Sequence, residues 1–249
     1  MLLKKQDKPF VWAHRGASGY APENTLASFK KAIEMKADGI ELDVQMTKDG
    51  QLVVIHDETV NRTSDHDGWV KDFTLEELKQ FNFNMRFPEY GFQEIPTLKE
   101  VFELVYPSNL VVNVEIKSNI IPYPGIEELV MKTVNECGMK ERVVYSSFNH
   151  KSCVKLRELD KDAYIGFLYE DGFLDVAEYV SKHGGNALHP ALYLLQDPAF
   201  MPEAKKYGLD VNCWTINEKE HMLLGCKLGL TSIITNYPDI ARNIVDNLG

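Results

Sequence analysis

Eight times along this chain, a short run rich in β-branched and apolar residues is followed by a stretch with helical spacing. No other feature constrains the fold as much. The runs at 10–13, 39–44, 110–116, 143–146, 163–168, 186–189, 211–216 and 232–235 are predicted as strands. The predicted helices are 24–35, 98–106, 126–137, 150–159, 173–183, 198–207, 218–228 and 238–247. In the first of these, Leu26, Phe29, Ala32 and Ile33 recur at the interval that puts them on one helical face. Thr97 is placed to cap the second, with Glu100 three residues on. Gly138, Gly184, Gly208 and Gly229 follow helix ends, where a left-handed residue is wanted. Strict strand–helix alternation implies a parallel sheet covered by helices. Eight units in 249 residues match a closed (β/α)8 barrel, the TIM barrel. An open doubly wound sheet is the alternative, but no G-x-G-x-x-G follows the first strand.

Two departures from the rhythm matter. Residues 51–55 read as an accessory strand, hairpinned onto the second across Lys48-Asp49-Gly50. Residues 57–96 form a long insertion after the second barrel strand, with a short helix expected at 75–80. Such an insertion commonly caps or serves a site. Its aromatics, Trp69, Phe81, Phe83, Phe87, Tyr90 and Phe92, either pack into a small core of their own or shelter an acyl chain. The whole of 1–249 is expected to be one domain carrying this insertion.

In a (β/α)8 barrel, chemistry gathers at the C-terminal ends of the strands. The first strand ends in His14-Arg15-Gly16, and the accessory strand in His56-Asp57. The second strand carries Glu41 and Asp43, and the third Asn113, Glu115 and Lys117. Residues two apart on a strand share a face, so each set points one way. Strands of a parallel sheet are buried on both sides and should be apolar throughout. Carboxylates inside Gly39-Ile40-Glu41-Leu42-Asp43-Val44 therefore need compensation. Two readings stand. In one, Glu41, Asp43 and Glu115 hold a divalent cation, Mg2+ or Ca2+ given a ligand set made only of oxygens. In the other, they form an ion-pair network with Arg15 and Lys117.

His14 and His56 suit general acid–base roles, because imidazole titrates near neutrality; alternatively each is a hydrogen-bonded structural side chain. Arg15 and Lys117 either complete an anion site or merely neutralise carboxylates. Trp214 is a pocket wall or a core residue. His189, at a strand end before Pro190, is expected on the pocket rim. His66, His150, His183 and His221 fall on helices or in the insertion and read as incidental.

Composition narrows the partners. With 27 Lys+Arg against 37 Asp+Glu, the net charge of −10 argues against a nucleic-acid groove and against strong attraction to an anionic membrane. Cys137, Cys153, Cys213 and Cys226 make no C-x-x-C pair and read as free buried thiols of a reducing compartment. Residues 1–8 lack the apolar core of a signal peptide, and no apolar run nears the roughly 20 residues of a membrane span. The expectation is a soluble cytoplasmic protein without a stable membrane anchor, either monomer or homodimer.

The order of these motifs resembles the glycerophosphodiester phosphodiesterases. His14-Arg15-Gly16, Pro22-Glu23-Asn24-Thr25, Glu41-Leu42-Asp43-Val44, Thr47-Lys48-Asp49-Gly50 and His56-Asp57 carry the first half. Glu115-Ile116-Lys117, Ser147-Phe148, Asn212-Cys213-Trp214-Thr215 and Thr235-Asn236-Tyr237-Pro238-Asp239 continue it, nearly to the end. The resemblance implies a (β/α)8 barrel that hydrolyses small-molecule glycerophosphodiesters to sn-glycerol 3-phosphate and an alcohol. It implies Mg2+ or Ca2+ on Glu41, Asp43 and Glu115, and acid–base roles for His14 and His56. Arg15 and Lys117 would lie on the phosphate, and 57–96 would match the family's insertion. Asn236 departs from the Asp common at its position. That change is expected to affect strand-end hydrogen bonding and leave the chemistry alone.

Overall fold

A computed structural model describes residues 8–248. The reading of the charged N-terminal segment concerns residues that lie almost wholly outside this range. Eight parallel strands close into a barrel: β1 (Phe10–His14), β2 (Gly39–Met46), β4 (Val111–Ile116), β5 (Val143–Ser147), β6 (Tyr164–Tyr169), β7 (Ala187–Pro190), β8 (Asp210–Cys213) and β9 (Ser232–Thr235). Closure comes from β1, which pairs in parallel with both β2 and β9. The accessory strand β3 (Leu52–Val54) pairs antiparallel with β2, as the Asp-Gly turn implies.

Helices return the chain outside the barrel: α1 (Leu26–Glu34), α3 (Leu98–Val105), α4 (Ile126–Glu136), α5 (His150–Leu159), α6 (Val176–Lys182), α7 (Phe200–Lys206), α8 (Lys219–Leu228) and α9 (Pro238–Asp246). In α3, Leu98, Val101, Phe102 and Val105 are buried, one face of a helix at three- and four-residue steps. Thr97 and Glu100 form the expected capping box. Burying side chains such as Phe29 and Phe102 contributes roughly 2–3 kcal/mol each. They belong to the apolar layer between barrel and helices.

Several elements are shorter than the pattern suggests, α6 and β8 among them. Helix α6 begins at Val176, not 173, because Asp175 has a left-handed backbone at its N-cap. Phe173 and Leu174 therefore stay in an exposed loop. Strand β8 stops at Cys213; beyond it the chain is held by single contacts, a bridge from Trp214 to Ala191 and a bond from the Ile216 amide to the Ile234 carbonyl.

Between β3 and α3 lie a short helix α2 (Leu75–Leu78) and two 3-10 turns. This segment has its own cluster: Val60, Val70, Leu78, Phe81, Phe83 and Ile95 pack with Val53 and Ile55 of the β3 segment. Phe81 and Phe83 are thus core, while Trp69 and Phe92 remain exposed. The cysteines are free; Cys153 and Cys213 are buried, Cys137 and Cys226 only half-buried. Among the described residues, no helix is long and apolar enough to cross a membrane.

Candidate active site

Strand register builds the site. His14 pairs with Glu41, Glu41 with Asn113, Asp43 with Glu115, and Glu115 with Ser146. Register partners in a parallel sheet lie side by side on one face. Three carboxylates from two neighbouring strands are thereby forced together, and ligand oxygens of Glu41, Asp43 and Glu115 lie within 4.8 Å of one another. All three residues are buried.

The first loop turns sharply to serve them. Arg15 (φ 54°) and Gly16 (φ 78°) both take left-handed backbone, which turns the Arg15 amide onto Glu41 Oε2 at 3.0 Å. Glycine is required at 16, because a Cβ there would lie 2.3 Å from Ser28 Oγ. The Arg15 guanidinium donates to Glu23 at 3.0 Å and lies 3.5 Å from Asp43 Oδ2. Asn24 Nδ2 donates to that same Asp43 oxygen at 2.9 Å. Lys117 Nζ sits 3.2 Å from Glu115 Oε1.

The two histidines meet different members of this cluster. His14 Nδ1 donates to Asn236 Oδ1 at 2.7 Å, leaving Nε2 facing Glu41 Oε2 at 4.0 Å. Asn236 is expected from the sequence to bear on strand-end hydrogen bonding alone, yet its partner is the ring of a candidate catalytic residue, because β9 closes against β1. His56 Nδ1 donates to Asp57 Oδ1 at 2.7 Å, and Lys117 Nζ donates to its Nε2 at 3.3 Å. Arg62 grips Asp57 (2.7 Å) and Glu23 (2.6 and 2.8 Å), and Glu23 in turn holds Arg15. A bridge of alternating charge therefore ties the His56 side to the Arg15 turn.

Burial and neighbouring charge set the electrostatics. Burial raises Glu41 well above the usual carboxylate range, with the charges of Asp43 and Glu115 adding to it. Burial likewise raises Glu115, against the pull of Lys117. Asp43 is held down at about 2: burial opposes ionisation, but the charges of His56, Arg15 and Lys117 outweigh it. Burial, aided by Arg15, lowers His14 from 6.5 to about 3. Burial also works against the Lys117 charge, yet Glu115 and Asp43 raise it.

These carboxylates fit a hard divalent cation. They offer only oxygens, burial works against the charge of Glu41 and of Glu115, and buried Asp43 Oδ1 has no hydrogen-bond partner. The ion-pair network with Arg15 and Lys117 is present in the same cluster, and the two readings do not exclude each other.

Trp214 stands half-buried beside Phe148, ring centroids 5.5 Å apart and edge to face. His189 does not take the expected rim position; it is sealed inside the barrel with no exposed surface. Its Nε2 accepts from Asn212 at 2.9 Å, and its ring occupies the space left by Gly166, where a Cβ would lie 2.1 Å away. Its carbonyl accepts from Trp214 Nε1 at 2.9 Å. Residues overlooked as site residues are Glu23, Asn24, Gln45, Arg62 and Tyr123. Only Glu23 and Asn24 carry a signal in the sequence, as members of the Pro22-Glu23-Asn24-Thr25 motif.

The family model described as the Glycerophosphoryl diester phosphodiesterase family matches residues 14–240. A glycerophosphodiester phosphodiesterase of Caldanaerobacter subterraneus subsp. tengcongensis is 46% identical over 239 residues, covering 96% of this chain and 98% of its own. One from Bacillus subtilis is 35% identical, covering 97% and 88%. The solved structure of an Oleispira antarctica phosphodiesterase in complex with the product sn-glycerol-3-phosphate superposes with a TM-score of 0.87 at 30% identity, covering 96% of this chain and 98% of that one.

Proposed function

This chain belongs to the glycerophosphoryl diester phosphodiesterase family and is an enzyme of that class, and from this premise we propose that it cleaves glycerophosphodiesters to sn-glycerol 3-phosphate and an alcohol by two-histidine acid–base catalysis at a divalent-cation site. The observation that carries the reading is the convergence of two imidazoles on one carboxylate cluster. His14 Nε2 faces Glu41, while His56 Nε2 faces Lys117, itself paired with Glu115.

Glu41, Asp43 and Glu115 would hold Mg2+ or Ca2+. Bound there, such an ion polarises a phosphoryl oxygen and lowers the pKa of a hydroxyl beside it. A hydroxyl attacks phosphorus: that of water, giving glycerol 3-phosphate directly, or that of the glycerol itself, giving a cyclic phosphate that water then opens. One histidine takes the attacking hydroxyl's proton, and the other gives a proton to the departing alkoxide. Arg15 and Lys117 balance charge on the phosphoryl oxygens from fixed positions, which costs no reorganisation during reaction. Trp214, backed by Phe148, walls the pocket with an apolar face. The substrate is a small molecule, and the chain acts as a single barrel domain with its insertion.

The test is release of glycerol 3-phosphate from glycerophosphocholine and other head-group diesters, before and after stripping with EDTA. Activity should vanish on chelation and return with Mg2+ or Ca2+. Full turnover by the stripped protein would remove the cation from the reading.

A further inference from the structure

His56 and Asp57 lie just past the last ladder bonds of the sheet. The Ile55 amide still donates to Asp43 O at 2.9 Å, and beyond it the chain enters the insertion. One side chain spans that gap. Gln45, on β2 and without exposed surface, points its amide nitrogen at successive backbone carbonyls: His56 O at 3.0 Å and Asp57 O at 2.6 Å, with Ile55 O farther off at 3.4 Å. The two N–H groups of one amide can serve His56 and Asp57 together.

The other end of the amide is fixed as well. Tyr123, buried in the β4–α4 connection, donates its hydroxyl to Gln45 Oε1 at 2.9 Å. Carbonyls at one end and a phenol donor at the other leave a single orientation for the amide. The backbone it grips carries both the His56 imidazole and the Asp57 carboxylate that holds Nδ1. Gln45 also sits two residues from Asp43 on the same strand, so the clamp ties the His56 turn to the carboxylate cluster.

We infer that Gln45, oriented by Tyr123, is a positioning residue for His56. It touches no reacting atom; it sets the backbone from which the imidazole and its partner hang. The inference rests on the catalytic role proposed for His56. A displacement of about 1 Å at a catalytic group can cost on the order of 100-fold in rate.

The test is a double-mutant cycle on the cation-loaded enzyme with glycerophosphocholine. Gln45→Met keeps the length and removes the donors. It should lower kcat about 10- to 100-fold with KM within about twofold. Tyr123→Phe, which keeps volume and loosens the amide, should lower kcat about 2- to 10-fold. In a His56→Ala background, Gln45→Met should add less than about twofold, since there is no imidazole left to position. Melting temperature and circular dichroism establish folding; if Gln45→Met does not fold, Tyr123→Phe carries the cycle. Unchanged kcat in the folded variants, or a loss of equal size with and without His56, overturns the clamp. Wild-type turnover by His56→Ala alone instead overturns the role of His56, so the two failures are distinguishable.

Discussion

His14 and His56 make the same 2.7 Å hydrogen bond through Nδ1, but to different partners. His14 bonds to the neutral amide of Asn236, inside the barrel mouth, its side chain 15% exposed. His56 bonds to the Asp57 carboxylate, itself gripped by Arg62, and is 31% exposed. Geometry is shared, while charge and burial differ. His14 stays neutral down to about 3 because burial, with the neighbouring Arg15 charge, opposes its protonation. A phosphodiester is an anion, and one bound beside His14 would favour its protonated form.

The harshest challenge to this contrast is to delete each ring. His14→Ala and His56→Ala should each lower kcat about 10²- to 10⁴-fold, read as glycerol 3-phosphate release. Near-wild-type turnover in either would leave that ring without a catalytic role. A gentler challenge exchanges the partners. Asp57→Asn gives His56 a neutral partner and frees Arg62, and should lower kcat roughly 10-fold. Asn236→Asp gives His14 an anion. Its kcat should stay within about 10-fold, but the acid limb of the pH–rate profile should move to higher pH, because a carboxylate stabilises the imidazolium. An unmoved limb would mean that the neutrality of Asn236 is not what sets His14 apart.

The smallest effect is on stability. His14 titrates near 6.5 when unfolded and at about 3 when folded, so between those values the unfolded chain binds more protons. Its neutral form therefore contributes stability above 6.5 that is lost as pH falls toward 3. Urea unfolding of His14→Gln should show a shallower loss, by about 1 kcal/mol between pH 6 and 5. Parallel curves for wild type and variant would show that His14 is not held neutral.

Local patterns explain how much of the fold and site is legible in the sequence. Strand alternation, the Thr97–Glu100 box and the paired acids Glu41–Asp43 all depend on residues within a few positions of one another. The two-residue strand period suffices to align carboxylates. Partners from distant segments left no such trace. Glu23 meets Arg62 across 39 positions, and Tyr123 meets Gln45 across 78. His189 misled because a strand-end residue can face inward, where Gly166 leaves room for its ring. Asn236 was visible as a departure, but its acceptor, the His14 ring, emerges only when β9 meets β1. Helix α6 started late because apolar spacing does not register a left-handed residue at Asp175.

That meeting of β1 and β9 also has a timetable. His14 and its partner Asn236 are 222 residues apart. At about 5–20 residues per second, a ribosome makes that interval in on the order of 10–45 s. Throughout it, His14 is already synthesised while the residue that orients it is not. Every nascent chain shorter than 236 residues therefore lacks the partner of His14, which arrives only as the last strand joins the first.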